Sequence, residues 1–255
     1  RLSHPDPSVD RRSGFLPPSI SNTKNLGFGV AIPYFFAIDG DKNLTLNSRI
    51  FANENPLFLG EYHQVFKSSS LIADFGFTEG YKKTSSTKKP GQKSHLFTSF
   101  VKNFKGRNDS QNKIELTFQD VSNDKYFKLY GIKTNLADKY TDVLENSFKF
   151  THSNEKLFVD INASVFETLS ENYNDKYEYI LPEIALRRNL LSNNFGTLDL
   201  QSILKIHNYD TNKVENFLVN NFYWKSKKKL FETGISSQLL GEFKNVNYDS
   251  KNVDL

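Results

Sequence analysis

The stretch that decides the fold is residues 26–38, which read LGFGVAIPYFFAI. Its even positions are mostly large and apolar, as at Phe28 and Ile32, whereas its odd positions are mostly small, as at Gly27 and Gly29. Because successive side chains of a strand point to opposite faces of a sheet, this period of two predicts a β-strand with one large apolar face. The predicted fold class is therefore all-β.

The same alternation recurs along the chain and predicts about thirteen strands. Many of them exceed the ~5–6 residues usual in soluble proteins and approach the ~9–11 that cross a bilayer. One helix-compatible patch, residues 126–145, lies inside a long connection and is expected to form a short helix. The predicted strands are residues 11–20, 26–38, 43–51, 57–67, 71–81, 95–105, 112–121, 147–153, 156–168, 176–187, 197–209, 214–226 and 230–248.

Connection lengths carry a second signal. Short, turn-rich connections follow alternate predicted strands, and the two long ones, residues 82–94 and 122–146, follow the others. Short turns at one end of a sheet and long loops at the other are typical of outer-membrane barrels. The pattern favours a partial antiparallel transmembrane β-barrel over a soluble all-β domain. Lipid-facing positions are then predicted at Leu26, Phe28, Val30, Ile32, Leu198, Leu200 and Leu204, and lumen-facing ones at Gly27, Gly29, Ala31, Asp199, Gln201 and Lys205.

Composition excludes several other classes. The 255 residues include no Cys, which excludes disulfides and cysteine-based zinc sites, and no run approaches the ~18 apolar residues of a membrane helix. A net charge of +4 is too small to indicate a nucleic-acid partner. The five His lack metal-ligand spacing and no catalytic motif is present, so we expect no enzyme activity, metal or cofactor. The chain also lacks Met, and we expect it to be a piece of a larger protein.

Residues 82–113 have the highest density of charge in the chain, with nine Lys or Arg residues and one acidic residue, Asp109. This composition predicts contact with an anionic ligand, such as a phosphorylated glycolipid. The alternative is a solvated loop with basic strand ends. The candidate contact residues are Lys82, Lys83, Lys88, Lys89 and Lys93.

Residues 11–19, RRSGFLPPS, resemble the opening of the barrel in the LptD family of lipopolysaccharide-assembly proteins, once called organic solvent tolerance proteins (OstA). Residues 25–38, with the motif PYFF at 33–36, are similar to the second strand of that family. Residues 4–7, HPDP, suggest the alphaproteobacterial type. Further similar segments are residues 41–49, 61–62, 124–127, 180–184 and 194–196.

The resemblance implies a Gram-negative outer-membrane protein that inserts lipopolysaccharide into the outer leaflet. It implies residues 11–255 as the N-terminal half of the barrel and residues 1–10 as a lead-in from an upstream periplasmic domain, a jellyroll. Its implied partners are lipopolysaccharide, the lipoprotein LptE as a plug and a periplasmic LptA-type bridge. The cysteines of enteric family members have no counterpart in this chain.

The resemblance also implies a lateral gate. Pro18 and Pro33 lie at positions matching the family's gate prolines, and Pro17 is an additional proline beside them. Proline has no N–H to donate to a neighbouring strand, so it weakens a seam between strands. Three alternatives stay open: prolines that end or bend edge strands, a barrel of porin or receptor type, and a soluble glycan-binding module.

Overall fold

A computed structural model describes residues 11–85, 90–169, 176–210 and 212–253. These residues form sixteen strands and one α-helix, which confirms the predicted all-β class. A 3-10 turn, Arg107–Asp109, joins two of the strands. The described residues contain no helix with the length and apolar character that a transmembrane helix needs. The elements are β1 (Gly14–Phe15), β2 (Ser19–Thr23), β3 (Gly27–Asp39), β4 (Lys42–Phe51), β5 (Leu57–Val65), β6 (Ser69–Thr78), β7 (Lys93–Lys105), β8 (Gln111–Val121), α1 (Tyr126–Tyr130), β9 (Val143–Ser153), β10 (Leu157–Thr168), β11 (Tyr177–Asn193), β12 (Gly196–Tyr209), β13 (Lys213–Ser226), β14 (Lys229–Leu230), β15 (Ser236–Ser237) and β16 (Leu240–Lys251).

Fourteen strands form one antiparallel sheet, and from β3 to β13 neighbours in sequence are neighbours in space. The order is β1, then β3 to β13 in turn, then β16, while β2 pairs with β3 beside β1. Strands β14 and β15 form a separate two-stranded hairpin. This up-and-down connectivity is what the short turns between alternating segments predict.

The chain divides into two compact units. The first consists of the residues up to Phe100 together with Phe118–Asp142, and the second of Val101–Thr117 together with the residues from Val143 onward. In the first unit, turns at residues 40–41 and 66–68 are short, whereas connections at 79–92 and 122–142 are long. In the second unit the predicted length asymmetry does not hold, because residues 227–239 form a long connection on the side of the short turns.

Several predicted elements have other bounds in the structure, and four of these differences have consequences for the sheet or the loop. The first strand is interrupted at residues 16–18, where Pro17 and Pro18 cannot donate to β3. The last strand begins only at Leu240, after the β14–β15 hairpin. Strand β11 continues to Asn193 through residues 188–193, which the alternation did not predict as strand. Helix α1 stops at Tyr130 because Gly131 adopts a left-handed conformation (φ 54°) and its N–H bonds to the carbonyl of Phe127.

The first unit has two contrasting faces. Register places Val30 opposite Ile50 and Phe58 opposite Phe77, and these side chains share one largely exposed apolar face. Leu26 was predicted on this face but is buried, with 4% of its surface exposed. Strand β3 begins only at Gly27, whose φ of +71° breaks the alternation before it. The exposed face also includes Phe28, Ile32, Phe36, Leu46 and Phe75.

The second unit keeps the alternation along β12 and β13. Leu200 lies opposite Phe222 and Leu204 opposite Leu218, so these side chains share one face. Gln201 lies opposite Asn221 on the other face. The positions predicted for lipid and for lumen therefore lie on opposite faces, but the Leu200 face also carries Ser202 opposite Asn220 and the Gln201 face carries Ile203 opposite Val219. The assignment of those faces to lipid and lumen stays a prediction.

Candidate functional site

The candidate site begins at the leading edge, which we define as residues 14–23. Phe15 pairs with Tyr34 and Ser19 pairs with Ala31. Three residues on the leading edge therefore stand opposite two on β3, which is the one-residue excess of a β-bulge. Pro17 and Pro18 occupy this bulge and form no pair with β3 among the pairs described. Neither has an N–H, so the leading edge offers no donor at these positions to a strand on either side.

Pro33 lies directly across from the bulge. Its carbonyl accepts a hydrogen bond from the N–H of Leu16 at 2.9 Å, so its backbone polar groups point toward the leading edge. Residues paired in this way normally exchange two bonds, one in each direction. The reciprocal bond to the Leu16 carbonyl cannot form because Pro33 has no N–H. The structure thus brings the three predicted gate prolines together at one donor-poor seam.

The polar face behind this seam is covered by the loop of residues 122–142, which carries α1. Arg49 of β4 donates from Nη1 to the carbonyl oxygens of Tyr130 at 3.2 Å and Gly131 at 3.5 Å. Farther along, Asn135 donates from Nδ2 to a carboxylate oxygen of Glu61 at 2.7 Å. These bonds fix the loop against β4 and β5.

Aromatic packing completes the attachment of α1. The ring of Phe127 stacks on Phe97 of β7 with centroids 5.1 Å apart, and Tyr126 packs at an angle against His95 with centroids 5.6 Å apart. All four side chains are buried. Burial raises the pKa of the Tyr126 hydroxyl above its ordinary value, and that hydroxyl has no hydrogen-bond partner among the described residues.

A cavity of about 420 Å³ lies between the leading edge and this loop. Side chains of β2, β3 and β4 form one wall, and α1 with the residues after it forms the other. Arg49, Lys128 and Lys139 are the basic side chains in its lining, and no carboxylate side chain lines it among the described residues. The cavity is therefore basic, and one of its walls includes residues of the leading edge.

The predicted anionic-ligand residues differ in their exposure. Lys82 and Lys83 are exposed, while Lys88 and Lys89 lie outside the described residues. Lys93 is buried, with 4% of its surface exposed, and its ammonium donates to the carbonyl of Pro90 at 3.3 Å and lies over the Tyr81 ring. Their joint role as a ligand contact stays a prediction.

Sequence reasoning placed Ala31 on the lumen face but assigned no role to the three basic residues of the cavity, Arg49, Lys128 and Lys139. Arg49 is separated from Asn47 by one residue, so the period of two places both on the polar face of β4. The alternation therefore predicts the face on which Arg49 lies. It does not predict that Arg49 contacts a loop some eighty positions away in the sequence. Among the residues that the structure describes, no three His, Asp or Glu side chains gather as a metal site would require.

Comparison with known proteins shows that the chain is similar to proteins named LPS-assembly protein LptD. The one from Pseudomonas fluorescens is 30% identical over 168 residues, which cover 64% of this chain and 17% of that protein. The one from Pseudomonas syringae is 27% identical over 194 residues, 74% of this chain and 20% of that protein. The one from Pseudomonas aeruginosa strain UCBPP-PA14 is 26% identical over 223 residues, 84% of this chain and 23% of that protein.

These relatives are much longer proteins. The chain spans about a fifth of the length of the curated LptD proteins it matches. No protein-family model matches the chain. The names of these relatives denote an assembly protein. Their Pseudomonas sources do not support the more specific alphaproteobacterial type.

Proposed function

We propose that this chain is the N-terminal half of an outer-membrane β-barrel that inserts lipopolysaccharide into the outer leaflet through a lateral gate. The similarity to LptD proteins supports the lipopolysaccharide-assembly role. The observation that carries the gate is the donor-poor seam at the three prolines. In this proposal residues 1–10 lead in from a periplasmic jellyroll, and the partners are LptE as a plug and an LptA-type bridge.

The physical argument for a gate starts from the cargo. Lipopolysaccharide has acyl chains that must enter the membrane while its sugars pass through an aqueous lumen. A wall with a complete hydrogen-bond ladder would resist such lateral passage, because unpaired backbone groups in lipid cost several kcal/mol each. Pro17, Pro18 and Pro33 have no N–H groups to leave unpaired when the seam opens. The seam can therefore open at a lower cost than an ordinary ladder.

The faces of the sheet support a membrane setting. In the first unit one face exposes large aromatic and aliphatic side chains, among them Phe28 (52% exposed), Ile50 (54%) and Phe58 (52%). A continuous apolar face of this kind needs a covering, and lipid would provide one. A barrel of porin or receptor type would share this face but has no need of a donor-poor seam at its leading edge.

The proposal is tested in the full-length protein by restoring backbone donors at the seam. Replacing Pro18 and Pro33 together by Ala should reduce delivery of lipopolysaccharide to the cell surface while the abundance of the folded barrel stays normal. A matched control replaces two loop prolines, Pro56→Ala and Pro90→Ala, which lie outside the seam. Equal delivery in the seam variant, the control and the wild type would reject the gate.

Lys82 and Lys83 remain candidates for contact with an anionic headgroup because both are exposed. They lie in the connection between β6 and β7, on the side of the long loops in the first unit. Charge-removing variants at these two positions should weaken lipopolysaccharide binding and reduce its dependence on salt. An unchanged salt dependence would leave them as solvated loop residues.

A further inference from the structure

We propose that the cavity between the leading edge and the α1 loop binds the anionic part of a glycolipid headgroup, a phosphate carried on sugar. The inference rests on the proposed function, and it assigns the headgroup a place beside the gate. The cavity of about 420 Å³ has room for one such group with its attached sugar atoms. Charge, polar lining and position each support this assignment.

Charge is the first argument. Arg49, Lys128 and Lys139 line the cavity, and among the described residues none of the three forms an ion pair with a carboxylate. Lys139 lies over the ring of Tyr140 at 4.9 Å, and Arg49 bonds the two loop carbonyls from one of its nitrogens. A guanidinium has five N–H donors, so donors remain after these bonds. Three positive charges without a paired acid attract an anion.

Uncharged polar groups are the second argument. The Oδ1 atom of Asn47 is buried and has no hydrogen-bond partner among the described residues, although a buried polar atom of this kind normally has one. Asn47 lies on the cavity wall and pairs with Pro33 in the sheet. An amide can present its NH2 group to an anion or its oxygen to a sugar hydroxyl. A bound headgroup would supply the missing partner.

Hydroxyl groups continue the polar lining along the leading edge. Ser19, Ser21 and Thr23 line the cavity from alternate positions of β2. The Thr23 hydroxyl accepts a bond from the N–H of Leu26 at 3.1 Å, which leaves its proton available for donation. Hydroxyls both donate and accept, so they suit a sugar that carries an anionic group.

Position is the third argument. Thr23 ends β2 on the side where the long loops of the first unit lie, and α1 belongs to one of those loops. In the proposed orientation this is the outer side of the membrane, where headgroups must stay while acyl chains leave through the seam. A headgroup held by Arg49 and Lys128 would be adjacent to the strand that carries the gate prolines. Binding there would keep the anionic group in the lumen during lateral exit.

The test compares the binding of lipopolysaccharide with and without its phosphate groups, and also the binding of inorganic phosphate alone. The full-length protein with its partners, purified in detergent, is titrated with lipopolysaccharide, with enzymatically dephosphorylated lipopolysaccharide and with inorganic phosphate. Wild type should prefer the phosphorylated form by about tenfold, the effect of a charge-assisted contact. The variant Lys128→Gln with Lys139→Gln should lose this preference. Arg49 is kept in that variant because it also fixes the loop.

A matched control removes two charges outside the cavity, Lys67→Gln with Lys133→Gln, and should keep the preference of the wild type. Hydrogen exchange of α1 in both variants checks that the loop stays folded.

An unchanged preference for the phosphorylated form in the cavity variant, with normal delivery of lipopolysaccharide, would overturn the cavity site and leave the proposed function standing. Failure of the wild type to bind either lipopolysaccharide would overturn the proposed function and this inference together. Inorganic phosphate binding as tightly as lipopolysaccharide would overturn the assignment to a glycolipid headgroup.

Discussion

The backbone pairing of the leading edge with β3 differs from the pairing of β12 with β13 in its continuity. Strand β12 pairs with β13 over all 14 of its residues without a register shift. The leading edge pairs with β3 in two short pieces separated by a proline bulge. In the first unit a loop with a buried aromatic cluster packs behind the sheet, at Phe127 and Tyr126. The comparison teaches that a strand can be weakened locally where side-chain packing stabilises the sheet behind it.

The largest effect should come from removing the packing behind the sheet. Phe127 is 3% exposed and stacks on Phe97, so Phe127→Ala should destabilise the first unit by about 3–5 kcal/mol through lost burial and the cavity left behind. Hydrogen exchange should increase in β3 to β6 while the β12–β13 ladder keeps its protection. The control, Phe195→Ala, removes a ring that is 80% exposed and should change little. Equal effects of the two variants would contradict the role of the loop.

The next effect tests the faces of the continuous ladder. Leu200 and Gln201 are neighbours in β12 and point to opposite faces. If the Leu200 face contacts lipid, Leu200→Arg should cost about 2–4 kcal/mol at mid-bilayer depth, whereas Gln201→Arg should cost little. The measurement is the free energy of unfolding of the full-length protein in lipid vesicles. Similar costs for the two substitutions would reject the assignment of faces.

These two tests separate what pattern could predict from what it could not. Alternation at positions such as Leu200 and Gln201 predicted strands and their faces, because a period of two is local. The prolines of the seam came from the resemblance to LptD proteins and not from the alternation, and their role in a gate stays a prediction. The bulge at Pro17 and Pro18 and the loop contact of Arg49 depend on register and on distant packing. Local pattern carries no information on either.

A smaller effect should appear at alkaline pH. Burial raises the pKa of the hydroxyls of Tyr126 and Tyr130 in the loop, so folding favours their neutral forms. The stabilisation is complete below the ordinary tyrosine pKa, near 10, and is lost as the pH rises toward the raised pKa of the folded state. Protection of α1 against hydrogen exchange should therefore fall above about pH 10. The variant Tyr126→Phe should reduce this pH dependence, and an unchanged profile would show that other groups cause it.

The smallest effect concerns the seam itself. Pro33→Ala restores an N–H that points toward the carbonyl of Leu16, and a new ladder bond contributes about 0.5–1.5 kcal/mol. Removing a proline also increases the conformational entropy of the unfolded chain. This lowers the free energy of unfolding by about 0.4–1 kcal/mol where the proline fits its native conformation. The control Pro56→Ala, in the connection before β5, has this second effect alone. We therefore expect Pro33→Ala to be more stable than Pro56→Ala, with slower exchange at the Leu16 amide. If Pro33→Ala is no more stable than Pro56→Ala, the missing N–H of Pro33 does not weaken the pairing of the leading edge with β3.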